Sequence, residues 1–452
     1  MAGQSLSARV VARRALTRVE ESNAYATLAL SAELSRARLS TVDSRLATEI
    51  CYGVLRHRSR IDRALGHYMH KGIRKVAPKV LLALRVAAYQ ILFLDRIPDH
   101  AAVDDAVGCV RRLGGPKLAG FANGVLRKLG REGEPALPEG SSMEAVMVRH
   151  SMPAWIAELL LERVGEERLE ECVAGMQSVP ALCVRVNRQR TTRDALAARL
   201  AEGETRSTRE LSEYPWALEL SGLGSPLHSQ SFADGMWTVQ DLAAQCIGAM
   251  VPISDGMQIL DACAGVGGKT THLAEVNSKA HIDAIDLSPK KIELLQETCK
   301  RLGITSIRAR IMDATRPDQD WTKAGLEPLY DLVLLDAPCS GLGVLRRHPE
   351  RKWRESGTDI PAMVALQKSL LDALAKRVKP GGHLIYSVCT FSAAEGPEQL
   401  ADFLANHPEF ELDPPKGSED VDWPALLENG CFVSWPHQNG QDAFFAACLR
   451  RR

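Results

Sequence analysis

The stretch D-A-C-A-G-V-G-G-K-T, residues 261–270, decides how the C-terminal half of this 452-residue chain is read. It follows a short apolar run, Gln258–Asp261, and leads into a segment of helical period. Glycines at 265, 267 and 268 let the backbone turn tightly and approach a ligand where a Cβ would collide. The Gly-Gly-Lys-Thr ending suggests a phosphate-binding loop, and Leu332–Asp336 (LVLLD) suggests the acidic strand that partners one. That motif needs a glycine five residues before Gly268, and Cys263 stands there. The surrounding acids therefore have to discriminate.

Outward from the loop the chain repeats strand, turn and helix. The pattern predicts strands at Gln258–Asp261, Ile282–Ile285, Ile307–Ile311, Leu332–Leu335, Leu384–Ser387 and Phe444–Leu449. Helices are expected at Thr270–Glu275, Pro289–Leu302, Ala362–Val378 and Pro397–Asn406. Such alternation gives an open, mostly parallel sheet covered by helices on both faces, with ligands beyond the carboxyl ends of its strands. Asp286 stands 21 residues after Gly265, the spacing of a carboxylate that accepts from ribose hydroxyls. Asp313 follows the next strand, placed for an adenine amino group. Asp261, Asp286, Asp313 and Asp336 around one loop suit a cationic sulfonium better than a polyphosphate. An adenosine-type cofactor, S-adenosylmethionine, is expected.

Two thiols lie at neighbouring strand ends, Cys339 in D-A-P-C-S-G-L-G and Cys389 in Y-S-V-C-T. A lone cysteine is most often a small buried hydrophobe. A pair at one ligand edge suits a reaction on cytosine, whose C5 is too weak a nucleophile to take a methyl group unaided. A thiolate added to C6 makes C5 enamine-like, and a base then removes the C5 proton before the thiol leaves. Asp336 would stabilise the adduct at N3 of the base. Position alone leaves open which thiol attacks.

The first third differs. From Ser7 to about Leu129 apolar residues recur with helical period, as at Val11, Ala15, Leu16 and Val19. Residues 130–142 have a linker's composition of Gly, Pro, Glu and Ser. Residues 143–235 mix helices at Pro153–Val164 and Thr192–Glu202 with a strand at Leu182–Val186. The expected domains are an all-α one at 1–135, a small α+β one at 143–235 and an α/β one at 236–452. Formal net charge is zero, yet residues 1–150 carry 24 Lys and Arg against 14 Asp and Glu. That excess reads either as solvated helix faces or as a module that approaches phosphates. The 11 cysteines have no metal-ligand spacing, and Val80–Leu94, the most apolar helix-length stretch, is interrupted by Arg85 and Gln90. No metal, no membrane span and a cytoplasmic location are expected.

At these residues the chain resembles the bacterial 16S ribosomal RNA cytosine-C5 methyltransferases with a NusB-like N-terminal domain. The likeness runs through R-L-A-T-E-I-C-Y-G-V-L-R at 45–56, F-A-N-G-V-L-R-K-L at 121–129 and L-C-V-R-V-N-R at 182–188. It continues in W-T-V-Q-D-L-A-A-Q at 237–245, the 336–353 string ending H-P-E-R-K-W, and Y-S-V-C-T at 386–390. The resemblance implies a NusB-like RNA-binding domain, an RNA-recognition-like subdomain and a Rossmann-like methyltransferase domain. It also implies Cys389 as nucleophile, with Cys339 resolving the adduct and Asp336 at the base. Cofactor contacts would fall on Cys263, Ala264, Gly265, Val266, Gly267, Gly268 and Lys269, then Asp286, Asp313 and Asp336. Arg185, Asn187, Arg346, Arg347, His348 and Lys352 would lie along the RNA. The partner would be 16S ribosomal RNA or an assembling small subunit, met by a monomer. Three positions depart from the family pattern: Gly265-Val266 replaces Ala-Pro, Gly396 replaces the second of two glutamates, and Ala443 replaces Gly.

Overall fold

The computed structural model describes residues 6–211, 214–316, 318–354, 359–415, 421 and 423–452. Two compact units result, Met1–Ser178 with Leu345–Ser356, and Val179–Val344 with Gly357–Arg452.

The first unit is helical among the described residues. Ser7 and Ser40 accept hydrogen bonds from the first-turn amides of helices Ala8–Ser22 and Thr41–Arg56, setting where each begins. The face carrying Val11, Ala15, Leu16 and Val19 is buried against Ile50, Val54 and Leu55 in one core. Helix Pro78–Phe93 is buried nearly all round, Arg85 included. Its guanidinium grips Asp62 through two hydrogen bonds of 2.7 and 2.8 Å and Glu20 at 2.8 Å, so the charge is internally paired. Gly114 and Gly115 leave helical geometry and kink the span Asp99–Glu132. The segment Leu345–Ser356, read from sequence as part of the α/β domain, clusters with this helical unit.

The second unit holds two sheets. Strands β1 (Leu182–Val186), β2 (Ser207–Glu210), β3 (Ala217–Ser221) and β4 (Trp237–Val239) form an antiparallel sheet ordered β2-β3-β1-β4. Helix Arg193–Ala201 packs Leu196 and Leu200 onto it. The boundary expected at 235 falls short of β4, whose Trp237 is fully buried in this small core.

The large sheet is built on β5 (Gln258–Asp261), β6 (His281–Asp286), β7 (Ile307–Ile311), β8 (Tyr330–Asp336) and β9 (Val378–Val388). These five run parallel in the order β7-β6-β5-β8-β9. The chain order reverses between β5 and β8, the crevice where such sheets bind ligands. Beyond β9 the sheet turns antiparallel. Strands β10 (Phe410–Leu412), β11 (Leu427–Glu428) and β12 (Cys431–Ser434) are too short to show an alternating pattern, and β13 (Phe444–Arg451) pairs antiparallel with β9. The helices Gly268–Val276, Pro289–Leu302, Asp359–Ala375 and Pro397–Asn406 lie where helical period was read, except that Val378, expected to end the third, instead begins β9.

Candidate functional site

Each chemically distinctive group sits at the carboxyl edge of β5 to β9. From β5 the chain enters the glycine loop with Gly265 at φ +58° and Gly267 at φ +89°. A Cβ on Gly267 would lie 2.2 Å from Leu295 Cδ1, so this glycine is demanded by both conformation and space. The Gly265 amide donates to Asp286 Oδ2 at 3.0 Å, and the Ala264 amide donates to the Ile285 carbonyl at 3.0 Å. The loop is thereby fastened to the end of β6. Asp286 Oδ1 also accepts from the Ser288 amide at 2.8 Å, with Lys291 Nζ 3.4 Å from Oδ2.

The four acids have different environments. Asp261 is buried, accepts from Thr270 Oγ1 at 2.6 Å, and has an Oδ1 without a partner. Burial pushes its carboxyl up to about 7, since a charge in this setting is poorly solvated. Asp313 accepts from the amide and hydroxyl of Thr315 at 2.9 and 2.7 Å, which holds its carboxyl below the usual carboxylate range. Asp336 faces Lys269 Nζ across the β5–β8 crevice at 2.7 Å and accepts from Ser387 Oγ at 2.8 Å. The lysine that suggested a phosphate loop is therefore buried against a carboxylate, with its ammonium 5.1 Å from the Phe444 ring centroid.

The two cysteines converge. Asp336 is register partner of Ser387, and a few residues on, Cys339 Sγ lies 3.4 Å from Cys389 Sγ. Two thiols this close cannot both ionise readily. Hydrogen bonding to Cys389, then burial, pushes the Cys339 thiol well above its ordinary value.

Glu395 was missed as a positioning group. Fully buried, it accepts from the Ser340 amide at 2.8 Å, Ser340 Oγ at 2.5 Å and Gln367 Nε2 at 3.2 Å. Ser340 Oγ also lies 2.9 Å from Thr390 Oγ1, so the residues following the two cysteines are tied together. Gly343 completes the clamp: its amide donates to the Cys389 carbonyl at 2.9 Å and its carbonyl accepts from Ala443 at 3.0 Å. A Cβ there would lie 1.8 Å from the Ala443 carbonyl oxygen. Also missed were Leu287 and Ile311, exposed apolar residues that with Val266 edge the ends of β6, β7 and the loop. An apolar residue beside an acid at a strand end was the available signal.

Three residues expected along the RNA are engaged inside the protein. Arg185 directs its five N–H groups to Glu275 twice, at 2.9 and 2.8 Å, to Gln240, to the Gly268 carbonyl at 2.8 Å and to Thr271 at 3.0 Å. Asn187 Nδ2 donates to the Gly235 and Leu302 carbonyls at 2.9 and 3.1 Å. Lys352 Nζ donates to the Arg56 and Ser151 carbonyls at 2.7 and 3.0 Å and to Gln177 Oε1 at 3.1 Å. An ammonium has three donors and a guanidinium five, so neither cation has one left for phosphate. Arg346 is also buried, whereas Arg347 and His348 are partly exposed, with His348 Nδ1 3.5 Å from Glu350. Motif similarity had grouped residues that hold the fold with residues that could meet a ligand.

The edge also fits the expected cofactor. It offers an orphaned buried oxygen on Asp261 for a cationic donor, the Asp286 carboxylate for hydroxyls, and exposed Val266, Leu287 and Ile311 for an apolar ring. Fold and site define a Rossmann-like S-adenosylmethionine-dependent methyltransferase. The 16S rRNA methyltransferase RsmB/F family matches residues 249–450, the NusB family 6–131, and the RsmF/B-like ferredoxin-like domain 152–224. A probable ribosomal RNA small subunit methyltransferase B of Synechocystis sp. is 33% identical, covering 99% of this chain and 100% of the relative. That of Bacillus subtilis is 32% identical over 99% of each. The chain belongs to the ribosomal RNA small subunit methyltransferase B family. Among solved structures, PH0851 superposes with a TM-score of 0.81 at 26% identity, covering 99% of this chain and 100% of its own. The structure of NSun6 from Pyrococcus horikoshii with SFG shares the fold, with a TM-score of 0.57 at 21% identity over 66% of this chain and 98% of its own.

Proposed function

We propose that this protein methylates C5 of a cytosine in 16S ribosomal RNA, with Cys389 as the nucleophile. The observation carrying the reading is the 3.4 Å approach of Cys339 and Cys389 sulfurs beside Asp336. Bound S-adenosylmethionine supplies an electrophilic methyl group. Cys263 to Lys269, Asp286, Asp313 and Asp336 hold it, the loop through its close backbone and Asp286 through its carboxylate.

The Cys389 thiolate adds to C6, and the electron pair of the C5–C6 double bond moves toward C5. Asp336, oriented by Lys269 and Ser387, shares the proton taken up at N3 as the adduct forms. C5 gains the methyl group; a base then takes the C5 proton, the N3 proton returns to Asp336, and the C6–S bond breaks, restoring the C5–C6 double bond and releasing Cys389 as thiolate. Cys339, its sulfur 3.4 Å from that of Cys389, assists this resolution. The target base has to leave any stack to reach two thiols at a sheet edge.

Single-turnover assays with tritiated S-adenosylmethionine and 16S ribosomal RNA test the assignment. Cys389→Ala is expected to lose transfer altogether, whereas Cys339→Ala is expected to accumulate a protein–RNA adduct stable to denaturing gels. Full turnover by Cys389→Ala with none by Cys339→Ala would reverse the roles.

A further inference from the structure

In the proposed transfer Cys339 and Cys389 have separate tasks, yet their geometry also suits a reaction with each other. Their sulfurs lie 3.4 Å apart and a disulfide needs about 2.05 Å, so each sulfur has to travel only about 0.7 Å. The chain beyond each cysteine is already tied to the other. Ser340 Oγ and Thr390 Oγ1 are 2.9 Å apart, and the Gly343 amide donates to the Cys389 carbonyl at 2.9 Å. The buried Glu395 fixes Ser340 in turn, accepting from its amide at 2.8 Å. These tethers keep the two sulfurs neighbours while their side chains turn.

Access separates this pair from most of the other thiols. Cys51, Cys172, Cys183, Cys246, Cys431 and Cys448 are buried, whereas Cys339 and Cys389 are partly exposed at the sheet edge. Cys263 is partly exposed too, but burial first, and then Asp261, Asp286 and Asp336, push its thiol up. Oxidants attack the thiolate, so Cys263 competes poorly. A small oxidant entering where the base would enter therefore meets two thiols that can share its oxidising equivalents.

We propose that the pair is an oxidative-modification site, at which hydrogen peroxide converts Cys389 to a sulfenic acid that Cys339 resolves as a Cys339–Cys389 disulfide, switching methyl transfer off reversibly. The Cys389 thiolate attacks one peroxide oxygen and keeps it; the O–O bond breaks, and the other oxygen leaves as hydroxide, which takes up a proton to become water. The Cys339 sulfur then attacks the Cys389 sulfur, the S–O bond breaks, and the departing hydroxide leaves as water with the Cys339 proton. Two thiols are oxidised and one peroxide is reduced to two waters. Without a resolving thiol the sulfenic acid proceeds to sulfinic acid, which reductants do not reverse. The loss of transfer rests on Cys389 as nucleophile, argued in the preceding section; the crosslink itself does not.

The test is peptide mass spectrometry of the full-length protein after hydrogen peroxide, with remaining thiols blocked and trypsin digestion done without reductant. Cys339 and Cys389 fall in separate tryptic peptides, 324–346 and 378–416, each with that one cysteine. The two peptides are expected to appear joined, two hydrogens lighter than their sum. Tritium transfer to 16S ribosomal RNA is expected to fall about 10-fold or more, since a sulfur held in a disulfide cannot attack, and to return with dithiothreitol. In Cys339→Ser the sulfenic acid has no resolving thiol. Dimedone is expected to label peptide 378–416 there, and peroxide doses from which the wild type recovers are expected to leave it as sulfinic acid. Sulfinic acid without a crosslink in the wild type, a link from either cysteine to a third, or undiminished transfer by the crosslinked protein overturns the proposal. Absence of transfer before any peroxide is added would sink the methylation reading instead, and the joined peptides would still decide the crosslink.

Discussion

At the scale of single residues, Glu395 and Gly343 hold the two-thiol edge in place. Glu395→Ala leaves the Ser340 amide, its hydroxyl and Gln367 without their shared acceptor. A loss of about 2–4 kcal/mol is expected by urea unfolding, from the cost of unpaired buried donors. A fall in kcat with little change in cofactor affinity is expected from a displaced Cys339. Gly343→Ala drives a methyl group into the Ala443 carbonyl. It is expected to destabilise by about 1–3 kcal/mol and to reduce turnover, measured on the soluble variant. Cys389, Cys339 and Asp336 could be singled out from sequence because unusual residue types stood at strand ends. Glu395 could not, because a buried carboxylate is recognised by its partners, and Ser340 is 55 residues away.

At the scale of elements, β5, β6 and β8 were legible because each is a short, largely apolar run ending in an aspartate. Helices Pro289–Leu302 and Pro397–Asn406 were legible from a proline at the first turn and an amphipathic period. Strands β10 to β12 were not, since two to four residues carry no period. The identity of β4 was hidden too: its partner β1 is some 50 residues upstream, and pairing rather than local pattern assigns it. Arg185 shows what motif similarity alone obscures. It joins β1 to helix Gly268–Val276 through Glu275 and the Gly268 carbonyl. Arg185→Ala strands a buried carboxylate, and a loss of about 3–5 kcal/mol is expected in denaturant titration, with cofactor affinity reduced as the glycine loop loosens.

At the scale of the whole molecule, stability should depend on pH through Asp261. Its carboxyl titrates near 7 when folded, well above an ordinary unfolded aspartate, so the folded chain binds the extra proton between about 4 and 7. The contribution of this group is therefore greatest at low pH and declines as pH rises through 7. His57 acts oppositely: burial holds it down to about 3, so its neutral form gains stability as pH rises through that same range. The comparison that isolates Asp261 is wild type against Asp261→Asn by urea unfolding from pH 5 to 8, with the wild-type advantage expected to shrink toward higher pH. All three sequence regions were legible as classes of structure; the packing of Leu345–Ser356 with the helical unit was not, because its partners lie some 170 to 300 residues upstream. The most direct test of the central claim is mass spectrometry of the adduct formed with RNA carrying 5-fluorocytosine, whose C5 has no proton to lose. A digest with the nucleotide on the peptide containing Cys389 is the expected result; the nucleotide on the peptide containing Cys339, or no covalent species at all, would contradict it.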